Sequence, residues 1–131
     1  MPNKEKIVID RIKSNVRKKG FATTKDLQNV ERLLIQNSQD PSLWCFRGDL
    51  IQLSNGTASW KLADALNSYR RAISLDNTFQ EAYVSAAYYH YAVQNSPNRA
   101  MKYLKSALKI KSTKVLLKLE QEIQKEIRLK Q

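Results

Sequence analysis

The sequence predicts an all-α protein in which about seven helices stack as antiparallel hairpins. Apolar residues recur with helical spacing along nearly all of the 131 residues, and no long stretch alternates with the period of two that marks a strand. Glycine and proline are scarce, with three of each, which disfavours a fold rich in tight turns. The links between the helical segments are short, so neighbouring helices should run antiparallel.

The first two segments form the first predicted hairpin. Segment one covers about residues 3–19 and ends at Gly20, after a lysine-rich turn that suits the helix dipole. Thr23 or Thr24 caps segment two, which ends near Asn37. The apolar faces of the two segments are formed by Val8, Ile9, Ile12, Val16, Leu27, Val30, Leu33 and Leu34.

Segment three begins at Asp40-Pro41, where the carboxylate caps the helix and proline fits the first helical position. It extends to Ser54, and Asn55-Gly56 then breaks the chain. Segment four covers about residues 59–75.

The last three segments follow the same signals. Segment five covers about residues 79–94, with Asn77 or Thr78 as its cap. Ser96-Pro97 repeats the cap and proline signal and begins segment six, which ends near Ile110. Ser112 or Thr113 begins segment seven, which continues to near the C-terminus.

An internal repeat is the strongest signal. Ala65-x3-Tyr69-x2-Ala72-Ile73-x-Leu75 recurs 35 residues later as Ala100-x3-Leu104-x2-Ala107-Leu108-x-Ile110. The preceding helices align at a shift of 39, Trp44-x2-Arg47-Gly48-x2-Ile51 with Tyr83-x2-Ala86-Ala87-x2-His90. The difference between the shifts falls in the 54–59 loop. Small residues allow helices to meet closely, and one hairpin cannot bury its own face, so the hairpins should stack.

On these motifs the chain resembles the tetratricopeptide repeat family. The resemblance covers residues 41–76 and 78–111 and implies a right-handed superhelix forming one helical-repeat domain over residues 1–131. Residues 3–38 would be a degenerate first hairpin and residues 113–130 a capping helix. The chain would be a divergent member, since it departs from the usual pattern at Arg47, Asn77, Ala86, His90 and Ser112. The alternative is another stack of α-hairpins or an irregular helical bundle.

Composition excludes several other classes of protein. With 42% hydrophobic and 27% charged residues, neither a disordered nor a membrane-spanning chain is expected. A single cysteine excludes an internal disulfide and a zinc site made of several cysteines. The charged N-terminus lacks an apolar stretch of secretory length, so we expect a cytoplasmic protein.

No catalytic constellation is present in the sequence. It has no glycine-rich phosphate loop, no Ser-His-Asp set and no metal-binding His/Cys spacing. We therefore expect a non-enzymatic protein without a cofactor or a metal, and we interpret His90 as a packed core histidine.

The resemblance implies a protein-interaction module, acting as an adaptor or scaffold that binds a peptide or protein partner. In the family, the first helix of each hairpin lines a concave groove. The matching positions are Ser42, Cys45, Asp49 and Gln52 on segment three, and Glu81, Val84, Tyr88 and Tyr91 on segment five. The residues themselves leave two alternatives for the face of segment five that carries Tyr88 and Tyr91. This face either binds a partner, or it packs on segment seven or on another copy of the chain. Tyr83 should point into the hairpin core and be more buried than Tyr88 and Tyr91.

The net charge of +11 is concentrated at the two ends of the chain. Arg99, Lys102, Lys105 and Lys109 are spaced to form one stripe along segment six. An acidic protein partner would suit this charge, and binding of a nucleic acid or another polyanion through the basic terminal helices is the alternative function. The stripe would otherwise be a solvated face. We expect a monomer or a weak homodimer and no membrane association.

Overall fold

The structure is a computed structural model, and it describes residues 3–54 and 60–131. Over these residues the chain forms seven α-helices and no β-strand, which confirms the all-α prediction. The helices are α1 (Lys4–Lys19), α2 (Thr24–Gln36), α3 (Pro41–Gln52), α4 (Leu62–Leu75), α5 (Gln80–Tyr88), α6 (Pro97–Ile110) and α7 (Lys114–Leu129), and a π-helical turn (Tyr89–Val93) follows α5. The predicted break at Asn55-Gly56 and the predicted start of segment four at residue 59 lie outside the described residues.

Local capping fixes most helix ends where the sequence predicts them. Gly20 ends α1 in the left-handed conformation, with φ of 80°, which glycine adopts without steric cost. Thr23 and Asp26 form a capping box at the start of α2, each side chain accepting a hydrogen bond from the other residue's backbone N–H. Asp40 caps α3 by accepting from the Ser42 N–H at 2.9 Å.

The start of α5 differs from the prediction. Neither Asn77 nor Thr78 caps the helix, and Phe79 takes the N-cap position without a side-chain hydrogen bond. The Thr78 hydroxyl instead donates to Asp76 at 2.6 Å, and the Thr78 N–H donates to the same carboxylate oxygen. The local turn at Asp76 therefore holds the hydroxyl that would have capped α5.

The chain divides into two compact units, Met1–Leu75 and Asp76–Gln131. In the first unit, α3 and α4 lie close together at Gly48, where an added Cβ would lie 3.0 Å from the Ala65 carbonyl oxygen. Ala65, Tyr69 and Ala72 on α4 are fully buried. The repeat motif thus places small residues where two helices meet, as the sequence predicts for this pair.

In the second unit, α5, α6 and α7 share one apolar cluster. Ala87 of α5 and Leu104 of α6 are fully buried in it, together with Ile123 of α7. Leu116 and Leu119 complete the inward face of α7. The predicted C-terminal helix therefore belongs to the core of this unit and covers apolar surface of its own hairpin.

Candidate functional site

The predicted groove positions on α3 do not form an open surface. Cys45 is only 3% exposed, so it lies in the interior of the first unit and cannot line a groove. Asp49 and Gln52 are half-buried and both bind the buried Tyr69. The Tyr69 hydroxyl donates to Asp49 Oδ1 at 2.7 Å and accepts from Gln52 Nε2 at 2.6 Å. These two side chains therefore anchor α4 to α3.

Burial of the phenol ring explains the electrostatics at this anchor. Desolvation raises the pKa of Tyr69, and the neighbouring Asp49 carboxylate raises it further. The phenol consequently stays protonated and keeps its hydrogen to donate to Asp49. The fourth predicted position, Ser42, is exposed and binds Asp40 at the start of the helix.

On the predicted groove face of segment five, which α5 and the π-helical turn form in the structure, only part of the surface is open. Glu81 and Tyr88 are exposed, Tyr88 by 43%. Val84 and Tyr91 are half-buried and pack against the apolar cluster of the second unit. Desolvation raises the pKa of Tyr91, followed by the charges of Glu126 and Glu122 on α7. The two alternatives for this face were binding of a partner and packing on segment seven or another copy. The Tyr91 side chain follows the second alternative, because it packs near α7.

The predicted order of tyrosine burial is confirmed for Tyr88. Tyr83 is half-buried and donates to the Asn77 carbonyl at 2.9 Å, so it is more buried than the exposed Tyr88, whereas Tyr91 is half-buried like Tyr83. Tyr89, which was not among the predicted core residues, is 2% exposed. The π-helical turn begins at this residue, and it changes the register that a regular α-helix would have continued.

His90 lies in the core, as its sequence context predicts. It is 2% exposed, stacks on the Tyr103 ring at 5.3 Å and lies 3.0 Å from the Gln94 side-chain oxygen through Nδ1. These contacts are those of a packed histidine.

The predicted basic stripe is exposed along α6. Arg99, Lys102, Lys105 and Lys109 all face solvent. Within the described ranges, none of the four forms a salt bridge with an acidic side chain. Their charges are therefore available to an external anion.

The first unit contains a polar network that the sequence did not predict. The Glu31 carboxylate of α2 accepts from Arg47 Nε and Nη2, both at 3.3 Å, and from the Trp60 indole N–H at 2.7 Å. Arg47 also donates to the Ser68 hydroxyl at 2.6 Å. A signal was present, because an arginine at a position of the repeat that is usually apolar requires an acidic partner.

An open depression adjoins this network. It has a volume of about 320 Å³ and is lined by Glu31, Leu34, Ile35, Trp44 and Arg47. The indole N–H of Trp44 donates to the Ser38 carbonyl at 2.8 Å, which fixes the ring. Ile35 is 81% exposed at the edge. We call this surface, between α2 and α3, the Trp44 depression.

A second depression in the same unit lies between α1 and α3. It has a volume of about 260 Å³ and is lined by Lys13, Val16, Arg17, Phe46, Leu50 and Leu53. Lys13 Nζ lies 5.7 Å from the centre of the Phe46 ring. The Leu53 carbonyl accepts from the Ala22 N–H at 2.9 Å, so the link after α1 is tied to the end of α3. We call this surface the Lys13 depression.

No protein-family model matches the sequence, and a search of curated proteins found no match. The resemblance to tetratricopeptide repeats therefore depends on the motifs in residues 41–76 and 78–111. In the part of the chain that the structure describes, no helix has both the length and the apolar character needed to cross a membrane. The same residues contain no cluster of His, Cys, Asp or Glu suited to a metal ion.

Proposed function

We propose that this chain is a non-enzymatic protein-interaction module of the tetratricopeptide type, an adaptor that binds a peptide or protein partner. The Trp44 depression is the observation that supports this proposal. A concave surface that combines a tryptophan, an arginine and exposed aliphatic carbon has the residue types that dominate binding energy at protein interfaces.

The geometry of the Trp44 depression favours an apolar side chain of a partner as its occupant. Single exposed apolar residues are ordinary on protein surfaces, but Ile35 adjoins the Trp44 ring and Leu34 in one concavity. The Trp44 ring is held by its hydrogen bond to Ser38, and the Arg71 guanidinium lies 6.0 Å from the ring centre. A preformed aromatic wall loses little conformational entropy when a partner binds.

Peptide selection tests this proposal. Short random peptides displayed on phage are selected against the intact chain, and the dissociation constants of the selected peptides are measured. Ile35→Gln should weaken binding by about tenfold or more, because it removes apolar area worth about 1.5–3 kcal/mol when fully buried. Val115→Gln is the matched control, since Val115 is also an exposed β-branched residue but lies on α7.

The outcomes distinguish failure of the proposed site from failure of the proposed function. Equal affinity of both variants would show that the module binds peptides elsewhere and would refute the Trp44 depression as the site. Failure to select any peptide that binds the intact chain would refute the interaction module itself.

The basic stripe on α6 favours a second candidate function, the binding of a nucleic acid or another polyanion. Four cations on one exposed helix face, without salt bridges to described residues, match a row of phosphates. If this function holds, binding of single-stranded RNA should weaken steeply as salt rises, because each neutralised phosphate releases counterions. Lys105→Glu/Lys109→Glu should abolish binding, whereas Lys13→Glu/Arg17→Glu has the same change in net charge on another helix and serves as the control. Equal loss in both variants would indicate attraction to net charge alone.

A further inference from the structure

The Lys13 depression joins an apolar floor to a cationic edge. Leu50 is buried at the floor and Phe46 is half-buried, while the Leu53 side chain is 49% exposed. Lys13 and Arg17 stand one helical turn apart on the same face of α1 and are both exposed. A ligand bound here would therefore meet carbon surface and positive charge together.

The cations at this edge are available for an external partner. Among the described residues, neither Lys13 nor Arg17 forms a salt bridge. The last turn of α1 holds two further cations beside Arg17, namely Lys18 and Lys19. The pKa of Asp10 is lowered, mainly by the hydrogen bond from Lys6 and also by the charges of Lys13 and Arg17. The surface of α1 is thus electrostatically favourable to carboxylates.

The size of the depression favours a side chain over a free small molecule. Its volume of about 260 Å³ lies below the roughly 300–1,000 Å³ of typical small-molecule sites. One aromatic or branched aliphatic side chain fits such a space, and the rest of the ligand would lie outside. Charge complementarity then requires acidic groups on both sides of the inserted side chain, where they can reach the two cations.

We propose that the Lys13 depression binds an acidic protein segment, which inserts one apolar side chain against Phe46 and Leu53 and places side-chain carboxylates at Lys13 and Arg17. The inference goes beyond the proposed function, because it assigns a second surface and specifies the charge of the partner.

A designed peptide tests the inference. The probe has one phenylalanine flanked on both sides by aspartate and glutamate, and both of its termini are blocked so that only side chains supply carboxylates. Two matched peptides replace the acids with serine or the phenylalanine with alanine. Binding to the intact chain is measured by fluorescence anisotropy at low and moderate salt.

Two charge-reversal variants, one on α1 and one on α6, are matched in their change of net charge. Lys13→Glu/Arg17→Glu should weaken binding of the acidic peptide by at least about tenfold, because each close charge pair becomes repulsive. Lys105→Glu/Lys109→Glu changes the net charge equally but leaves the depression intact, so it should bind the peptide as the unmodified chain does. Leu53→Ser should weaken binding with both cations present. Tryptophan emission confirms that the first unit of each variant is folded, and far-UV circular dichroism confirms that the helix content of the whole chain is unchanged.

Four results of the peptide experiment would overturn the inference. They are equal binding of the serine-substituted peptide, equal binding of the alanine-substituted peptide, equal weakening in both charge-reversal variants, and no binding of the acidic peptide to the intact chain. Vesicles of phosphatidylcholine and phosphatidylserine are tested in parallel. Binding to vesicles that is lost in Lys13→Glu/Arg17→Glu, without peptide binding, would overturn the inference in favour of an anionic membrane surface. None of these results affects the peptides selected for the Trp44 depression, so the two proposals fail separately.

Discussion

Gly48→Ala should destabilise the first unit, because α3 and α4 leave no space for a methyl group there. The added Cβ would lie 2.5 Å from Cε1 and 2.9 Å from Cζ of Tyr69. The Tyr69 ring cannot move aside freely, since its hydroxyl is bound to Asp49 and Gln52 on α3. The helices must separate, or the ring must give up these hydrogen bonds.

The magnitude follows from three contributions. Overpacking a close-packed contact costs about 1–3 kcal/mol, and losing a hydrogen bond to a charged partner costs about 1.5–3 kcal/mol. Alanine is the better helix former, which offsets about 1 kcal/mol. The expected loss in the free energy of unfolding is therefore about 1.5–5 kcal/mol when the ring is displaced.

Urea denaturation followed by tryptophan emission measures this loss in the correct unit. The chain has two tryptophans, and both Trp44 and Trp60 lie in the first unit. Their emission therefore reports the unfolding of this unit. Gly20→Ala is the control, because Gly20 has no heavy atom within 4 Å of an added Cβ and only its positive φ is strained. It should cost about 1–2 kcal/mol.

A double-mutant cycle with Tyr69→Phe tests the proposed cause. Without the hydroxyl the ring is no longer held by Asp49 and Gln52, so Gly48→Ala should cost less in the Tyr69→Phe background. The reasoning is refuted if Gly48→Ala costs no more than Gly20→Ala, or if its cost is the same in both backgrounds.

Three further predictions concern pH, the second unit and a helix cap. Because the pKa of Tyr69 is raised on folding, the contribution of Tyr69 to stability is complete below the unfolded pKa of about 10 and is lost as pH rises above that value. Urea titrations at alkaline pH should show this loss of stability, and Tyr69→Phe should make the loss smaller. Tyr89→Ala should lower the free energy of unfolding of the second unit by about 3–5 kcal/mol and Tyr88→Ala by less than about 1 kcal/mol, as measured from the hydrogen exchange of α6 amides. Equal losses would contradict the burial assigned to the two rings. Asp26→Ala removes one half of the capping box and should cost about 0.5–2 kcal/mol, read from tryptophan emission; an unchanged transition midpoint would show that the box does not stabilise α2.

Features that depend on near neighbours in the chain could be predicted from the sequence. The caps at Gly20, Thr23 and Asp40 involve residues within four positions of one another, and the spacing of apolar residues defined the helices. The close approach at Gly48 and Ala65 could be predicted because it is part of the repeat motif. These interactions are encoded locally or in a recurring pattern.

Features that depend on distant residues could not be predicted in the same way. The π-helical turn contains Tyr89 and His90, which pack together, and His90 stacks on Tyr103 of another helix. The bond from Arg47 to Glu31 joins residues 16 positions apart. Cys45 was assigned to the wrong surface because α3 buries several of its faces, so periodicity alone does not distinguish a covered face from an open one.

The indole N–H signals of the isotope-labelled chain test the central claim most directly. The two tryptophans give two signals in a nitrogen–proton correlation spectrum, and each is assigned by substituting Trp44 or Trp60 with phenylalanine. Trp44 lines the Trp44 depression, and Trp60 donates to Glu31, which lines the same surface. A peptide selected against the intact chain should shift the Trp44 signal most, with backbone shifts at Leu34 and Ile35. Saturation with the peptide that leaves the Trp44 signal and these amides unchanged would contradict binding at this surface.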